Sequence, residues 1–271
     1  MIGVERWIEH SEMSGLAAQD RRLSGLPSEI DALNRVIQGL LIHSEWVTAY
    51  GLEEKSFEGA SRQTLPVATR LDAILAADAR KLTVPRSPGR REVGTCRDFA
   101  LMLCAILRGQ GIPSRVRCGF AAYFHEDWED HWVCEYWDRS AGLWRLSDAR
   151  LDGIIAGKCN VSFDPADVPR AAFVTADVAW RGCRSGRFDP GRFGHGETKG
   201  SWFLKVNAVR DHYAINNREV SAWDNWRATP RSARAVTDRE AAWLDDLAAF
   251  PERALAEIAP DREVGSGDAD R

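Results

Sequence analysis

The chain has 271 residues, of which 44% are hydrophobic and 28% charged, a composition typical of a water-soluble globular protein. Its 36 Lys and Arg against 40 Asp and Glu give a net charge of −4, so no overall charge attracts nucleic acid or an anionic membrane. No stretch approaches the roughly 18 apolar residues of a membrane helix, and charges interrupt the start of the chain, where a signal peptide is apolar. These features predict a cytoplasmic protein that binds neither nucleic acid nor membrane.

Six cysteines are spread through apolar segments: Cys96, Cys104, Cys118, Cys134, Cys159 and Cys183. A chain of this size can build its core without disulfides, so we expect reduced thiols. The only close Cys–His spacing is His131-x-x-Cys134, which is weak support for a zinc site formed with Cys96. A zinc protein is therefore a minor hypothesis, and we predict no metal and no cofactor.

Two helical patterns occupy the first third of the chain. Residues 28–48 have apolar residues at helical spacing, with Ser28 as the expected N-cap. A second pattern covers about 64–80 and is followed by a Pro- and Arg-rich loop at 85–91. We assign residues 1–84 to the N-terminal helical part of the domain.

The next segment changes from a helical to an extended pattern. Residues 95–109 predict a buried helix with Thr95 as the N-cap, ending at a glycine. Three short segments rich in aromatic and β-branched residues follow and read as antiparallel strands: 114–124, 131–138 and 143–149. One helix followed by paired strands predicts an α+β fold, a Cys-bearing helix packed on an antiparallel sheet with flanking helices.

Residues 176–258 form a Trp-rich extension with weaker patterns. Its tryptophans either line a pocket or pack a second layer over the sheet: Trp180, Trp202, Trp223 and Trp226. Residues 237–250 predict a helix, and residues 259–271 have the composition of a disordered tail.

Cys96 directly follows the N-cap candidate Thr95. The partial positive charge of a helix N-terminus favours thiolate over thiol, and the thiolate is the nucleophilic form. We therefore expect Cys96 to be ionised and reactive. Cys104 lies two helical turns further along, where burial favours a neutral, structural thiol.

A thiolate nucleophile needs a base and a group that holds the base, and His131 and Asp148 are the candidates. His131 opens one predicted strand and Asp148 closes the next. A two-residue turn at residues 139–140 would pair the strands so that His131 lies directly opposite Asp148. Asp152 is the alternative carboxylate if the register shifts.

Five pieces of sequence resemble, in order and spacing, the core of the transglutaminase-like superfamily: residues 94–100, 107–115, 119–120, 131–135 and 144–148. The resemblance covers roughly residues 90–152, within a core that we assign to 85–175. It implies a papain-like arrangement in which Cys96 is the nucleophile, His131 the general acid/base and Asp148 the orienting acid.

Two departures from the animal enzymes point to the bacterial type. Arg97 follows the cysteine where the animal enzymes have an aromatic residue, and no small residue separates His131 from Trp132. The resemblance to the bacterial proteins implies no calcium requirement.

The implied reaction is acyl transfer through a thioester on the cysteine. The donor is a peptide, a small amide or a carrier-bound thioester, and the acceptor is an amine or water, so both an amide hydrolase or peptidase and an amide-forming acyltransferase stay open. A non-catalytic interaction module that retains the fold is the alternative. The oligomeric state is left open.

Four residues are candidates for substrate binding: Arg91, Arg97, Trp132 and His195. The two arginines belong to a cluster with Arg86 and Arg90, which either receives an anionic group or is a solvated loop.

Overall fold

The computed structural model describes residues 3–17, 20–57, 66–124, 127–219 and 235–252. Trp223, Trp226 and the predicted tail at 259–271 lie outside these residues. Within them, no helix combines the length and the apolar character needed to cross a membrane.

A four-stranded antiparallel sheet forms the centre of the molecule, with the strand order β5-β4-β3-β6. The strands are β3 (Ser114–Ala121), β4 (Glu129–Asp138), β5 (Leu143–Ser147) and β6 (Phe173–Thr175). Together with the helices around it, this sheet confirms the predicted α+β class.

The register between β4 and β5 differs from the predicted one. The turn has four residues, 139–142, so Asp138 pairs with Leu143 and Cys134 with Ser147. The prediction that His131 lies directly opposite Asp148 is therefore wrong by two residues. A shift of two residues keeps every side chain on its own face of the sheet, so the two residues remain on a common face.

Helix α3 (Cys96–Gly109) begins and ends where the sequence predicts. Its N-terminus is closed by a capping box, in which the Thr95 backbone N–H donates to Asp98 Oδ2 at 2.7 Å. The helix is buried along almost its whole length and packs on β3 and β4, with α1 (Ile30–Leu40) and α2 (Val67–Ala77) against its other side.

The first helix is shorter than predicted. It begins after Glu29 rather than at Ser28, and it ends where the chain turns into strand β1 (Leu41–His43). Strand β1 pairs in parallel with β2 (Glu92–Gly94). Because β2 leads directly into α3, this pairing fixes the segment that delivers Cys96.

The C-terminal part adds four helices and a short hairpin: α4 (Gly153–Lys158), α5 (Ala176–Arg184), α6 (Ser201–Ile215), α7 (Asp238–Ala249), β7 (Gly194–His195) and β8 (Thr198–Lys199). Helix α7 confirms the pattern at 237–250, whereas α6 was not predicted because it is buried on nearly all sides and has no polar stripe. Trp180 and Trp202 are buried in this layer, which confirms packing rather than a pocket for these two residues.

A network of buried charges connects the sheet with the C-terminal layer. Glu135 Oε2 accepts from Arg115 Nε at 2.6 Å and from Arg117 Nη1 at 2.9 Å. Arg117 also donates to Asp211 at 2.7 Å and to Asp177 at 3.1 Å. Since all five residues are buried, each charge depends on its partners for compensation.

Candidate active site

His131 and Asp148 form a buried hydrogen-bonded pair. His131 Nε2 lies 2.7 Å from Asp148 Oδ2, and each residue is only 1% exposed. Asp148 follows the end of β5, where its backbone N–H donates to Pro165 O at 2.9 Å. The Arg150 backbone N–H donates to Asp148 Oδ1 at 3.0 Å. These contacts hold the carboxylate beside His131. The two residues therefore meet, although the observed strand register differs by two residues from the predicted one.

Aromatic rings enclose this pair. The Tyr123 hydroxyl donates to Asp148 Oδ2 at 2.8 Å. The ring of His131 contacts the rings of Phe124 at 5.0 Å, Tyr123 at 5.9 Å and Phe173 at 6.4 Å between centroids. Sequence reasoning did not identify Tyr123, whose only signal was its place near the end of the strand segment 114–124.

Burial and charge set the protonation of the pair. Burial lowers the pKa of His131 more than the carboxylate of Asp148 raises it. For Asp148, burial raises the pKa, but the adjacent His131 outweighs this effect and the net pKa is lowered. At neutral pH the pair is therefore a neutral imidazole beside a carboxylate. The carboxylate accepts the proton on Nε2, which leaves Nδ1 as the basic nitrogen.

Cys96 is the first residue of α3 and is partly exposed. Burial nevertheless raises the pKa of its thiol to about 12, and the charge of Arg150 and a hydrogen bond from the Trp132 backbone N–H lower it by less. The predicted resting thiolate is therefore wrong, because desolvation of the sulfur exceeds the help it receives from the helix N-terminus.

The contact with Trp132 brings Cys96 to the strand that carries the histidine. Trp132 directly follows His131 on β4, and its backbone N–H is the group that reaches the thiol. Cys96, His131 and Asp148 are thus gathered where the N-terminus of α3 meets the sheet.

The start of α3 is held by residues that sequence reasoning did not single out. The buried Arg70 donates to Val93 O at 2.7 Å and lies 3.2 Å from Asp98 Oδ1. A Cβ at Gly94 would lie 3.1 Å from the Cβ of Asp98, so a larger residue here would require Asp98 to shift by a few tenths of an ångström. The spacing Thr95-x-x-Asp98 was the available signal, because it is that of a capping box.

Two of the predicted substrate-binding residues are buried. Arg97 is 1% exposed; its guanidinium donates to Glu219 O at 3.1 Å and pairs with Asp98 at 3.5 Å. Trp132 is 2% exposed and packs in the core against α3. Neither side chain faces solvent, which disfavours contact with a substrate, and substrate binding by these two residues stays a prediction.

The other two candidates are partly exposed. The guanidinium of Arg91 lies over the ring of Tyr50, 5.4 Å from its centroid. His195 Nδ1 lies 2.9 Å from Asp130 Oδ1, and Asp130 precedes His131 on β4. The structure therefore connects His195 with the strand of the catalytic candidates, and substrate binding by either residue remains a prediction.

The proposed anion-binding arginine cluster does not form. Arg86 is 2% exposed and donates to four backbone carbonyls, those of residues 78, 80, 81 and 84. Since Arg97 is also buried, these arginines stabilise loops and the α3 N-terminus instead of meeting an anion together.

The zinc hypothesis has no geometric basis. His131 and Cys134 are three residues apart on β4, so their side chains project from opposite faces, and Cys134 contacts Cys104 in the core. Among the residues that the structure describes, no group of three or more His, Cys, Asp or Glu is placed to hold a metal ion.

The pH dependence of alkylation tests the resting state of Cys96. We expect its rate constant with iodoacetamide to rise about tenfold per pH unit from roughly pH 7 to 10, since a thiol with a pKa of about 12 stays mostly protonated there. Glutathione should level off near its own pKa, and circular dichroism checks that the fold persists. A plateau for Cys96 below about pH 8 would contradict the neutral resting thiol. The rates are measured by peptide mass spectrometry.

A cysteine-bearing helix packed on an antiparallel sheet, with a histidine on one strand and an aspartate just after the next, is the transglutaminase-like or papain-like class of arrangement. A family model described as the transglutaminase-like superfamily matches residues 50–149, a range that contains Cys96, His131 and Asp148. Residues 50–149 are therefore similar to that superfamily.

A solved structure similar to this chain is titled a "Putative Cysteine Protease" from Cytophaga hutchinsonii, with 14% sequence identity and a TM-score of 0.37. The similarity covers 64% of this chain and 45% of that one, so the chain matches less than half the length of that protein. A comparison with curated proteins finds no match.

Proposed function

We propose that the protein is a transglutaminase-like cysteine enzyme that forms a thioester acyl-enzyme on Cys96. The observation that carries the proposal is the buried His131–Asp148 pair, 2.7 Å apart, beside a cysteine at a helix N-terminus. The superfamily match supports a cysteine-dependent enzyme.

In the first step the Cys96 sulfur attacks the donor carbonyl while its proton passes to His131 Nδ1. Because the resting pKa values favour the neutral thiol and the neutral imidazole, the proton moves as the sulfur–carbon bond forms. Asp148 stabilises the resulting imidazolium, and the Cys96 backbone N–H stabilises the oxyanion.

In the second step the tetrahedral intermediate collapses and the carbon–leaving-group bond breaks. His131 returns its proton to the leaving amine or thiol, which leaves the acyl group on Cys96 as a thioester. Water or an amine then attacks the thioester carbonyl while His131 accepts its proton. The carbon–sulfur bond breaks, the acid or amide product leaves, and His131 returns the proton to the Cys96 sulfur, which regenerates the free thiol. An amide hydrolase and an amide-forming acyltransferase share the steps up to the thioester and differ in this last nucleophile.

Retention of an acyl group on Cys96 tests the proposal. We expect the wild type, after exposure to lysate metabolites, to gain mass by an adduct that peptide mapping assigns to Cys96. Cys96→Ala should gain none, and Cys159→Ala, which removes another partly exposed cysteine, should behave like the wild type. The mass of the adduct identifies the donor class. An unchanged adduct on Cys96→Ala would contradict the proposal.

A non-catalytic interaction module is the second candidate, and the neutral resting thiol is the observation that favours it. In that case no metabolite adduct should form on Cys96 in the wild type or in His131→Gln. In an enzyme, the wild type should form the adduct on Cys96 and His131→Gln should form it much more slowly.

A further inference from the structure

Arg150 lies against the catalytic candidates. Its side chain is buried, with 6% of the residue exposed, and its backbone N–H donates to Asp148 Oδ1. The guanidinium carbon lies 4.1 Å from the centroid of the Phe124 ring, and the same ring lies 5.0 Å from that of His131. Arg150 and His131 therefore contact one aromatic ring at the site.

Two of the three guanidinium nitrogens of Arg150 have no polar partner among the described residues. Nε and Nη2 are buried without a hydrogen bond, and among the described residues the side chain makes no ion pair. Its contacts with the rings of Phe124 and Trp46, the latter at 5.5 Å, are of the cation–π kind. Nε and Nη2 therefore have no acceptor in the part of the chain that the structure describes, which is rare for buried donors.

The other buried arginines with unpartnered nitrogens are different. Arg97 and Arg86 each lack partners for some nitrogens, but their remaining N–H groups donate to backbone carbonyls. Within the described ranges, Arg150 is held through its backbone and the aromatic rings alone. The same charge lowers the pKa of Cys96 against the larger effect of burial, so the guanidinium also acts on the nucleophile.

We propose that Arg150 binds a carboxylate of the acyl donor beside the carbonyl that Cys96 attacks. A guanidinium edge with free N–H groups matches the two oxygens of a carboxylate in a bidentate pair. The carboxylate of Asp148, to which the Arg150 backbone donates, is already occupied by His131, Tyr123 and that backbone N–H. This inference rests on the proposed function, because it names the substrate class of the same site.

Iodoacetate and iodoacetamide test the inference without a known substrate, because they differ in the presence of a carboxylate. We expect the rate constant for iodoacetate divided by that for iodoacetamide to be about tenfold or more higher at Cys96 than for glutathione. In Arg150→Gln this ratio should fall to the glutathione value. Loss of Arg150 changes the ionisation of Cys96 equally for both reagents, so the ratio isolates recognition of the carboxylate. The same ratio in the wild type and Arg150→Gln would overturn the inference.

Two further variants separate a bound carboxylate from a general attraction. Arg150→Lys keeps the charge but loses the paired N–H geometry, so its ratio should fall clearly below that of the wild type; a full wild-type ratio would contradict bidentate binding. Arg145→Gln removes an arginine that pairs with Asp138 and Asp167 near the β4–β5 turn. It should keep the wild-type ratio, and a fall would contradict recognition by Arg150.

Thermal unfolding keeps the inference testable if Cys96 is unreactive. Succinate should raise the Tm of the wild type and of Cys96→Ala but not the Tm of Arg150→Gln. Circular dichroism checks that Arg150→Gln folds. If Arg150→Gln does not fold, Arg150→Lys is used in its place. Equal stabilisation of all variants, or equal stabilisation by phosphate and succinate through Arg150, would overturn a carboxylate site. An adduct on Cys96 with no dependence on Arg150 would leave the proposed function standing and remove only this inference.

Discussion

Asp148→Asn should slow acylation of Cys96 by about 10³- to 10⁴-fold, with little loss of fold. Asp148 Oδ2 accepts from His131 and Tyr123, while Oδ1 accepts from the Arg150 backbone N–H. An amide NH₂ in the Oδ2 position would donate to His131 Nε2 and reverse the imidazole tautomer, whereas in the Oδ1 position it would meet the Arg150 backbone N–H. We expect the first arrangement, because it leaves the backbone hydrogen bond intact. The rate is measured by mass spectrometry, with the donor found on the wild-type enzyme.

Two matched variants control this prediction. Asp152, the alternative carboxylate in the sequence, caps α4 and accepts from the Tyr50 hydroxyl at 2.8 Å. Asp152→Asn should therefore change the acylation rate less than about threefold. Tyr123→Phe removes one neutral hydrogen bond from Asp148, and we expect a loss of about fivefold to tenfold. A loss below about tenfold for Asp148→Asn would contradict its assigned role.

Glu135→Ala should lower the free energy of unfolding by about 3–5 kcal/mol, because it leaves Arg115 and Arg117 buried without their shared carboxylate. The measurement is urea unfolding followed by circular dichroism. Arg170 also pairs with Glu135 but is half exposed, so Arg170→Ala should cost less than about 1 kcal/mol. Equal costs for the two variants would contradict the buried network as the source of stability.

The stability difference between the wild type and Glu135→Ala should also depend on pH. Burial raises the pKa of Glu135, but Arg117, Arg115 and Arg170 outweigh it and lower the pKa below the unfolded value. The stability from this carboxylate is therefore present above its unfolded pKa of about 4.3 and lost as the pH falls through the folded value. The difference in the free energy of unfolding between the wild type and Glu135→Ala should shrink as the pH falls below about 4.

The local signals predicted the elements that carry the catalytic candidates. Thr95 as an N-cap and the apolar residues that follow it fix α3, and the aromatic and β-branched runs fix the three consecutive strands. The resemblance then singles out Cys96, His131 and Asp148. These elements could be predicted because each depends on residues close together in the chain.

Features set by distant parts of the chain could not be predicted. The parallel pairing of β1 with β2 joins residues about fifty positions apart, and α6 has no polar stripe because the protein surrounds it. The pKa of Cys96 depends on burial, which follows from packing and not from its place after Thr95. Arg150 carries no signal in the sequence, since its unpartnered guanidinium results from the rings that fold over it.

The protonated sulfur of Cys96 also bears on how the protein withstands air. Peroxide oxidises thiolates and reacts slowly with thiols, so a cysteine that keeps its proton at rest resists conversion to sulfenic and sulfinic acids. The burial that keeps the Cys96 thiol protonated thus also lowers its reactivity toward peroxide. A preparation left without reducing agent should keep its full complement of titratable Cys96 for longer than an enzyme with a permanently ionised cysteine.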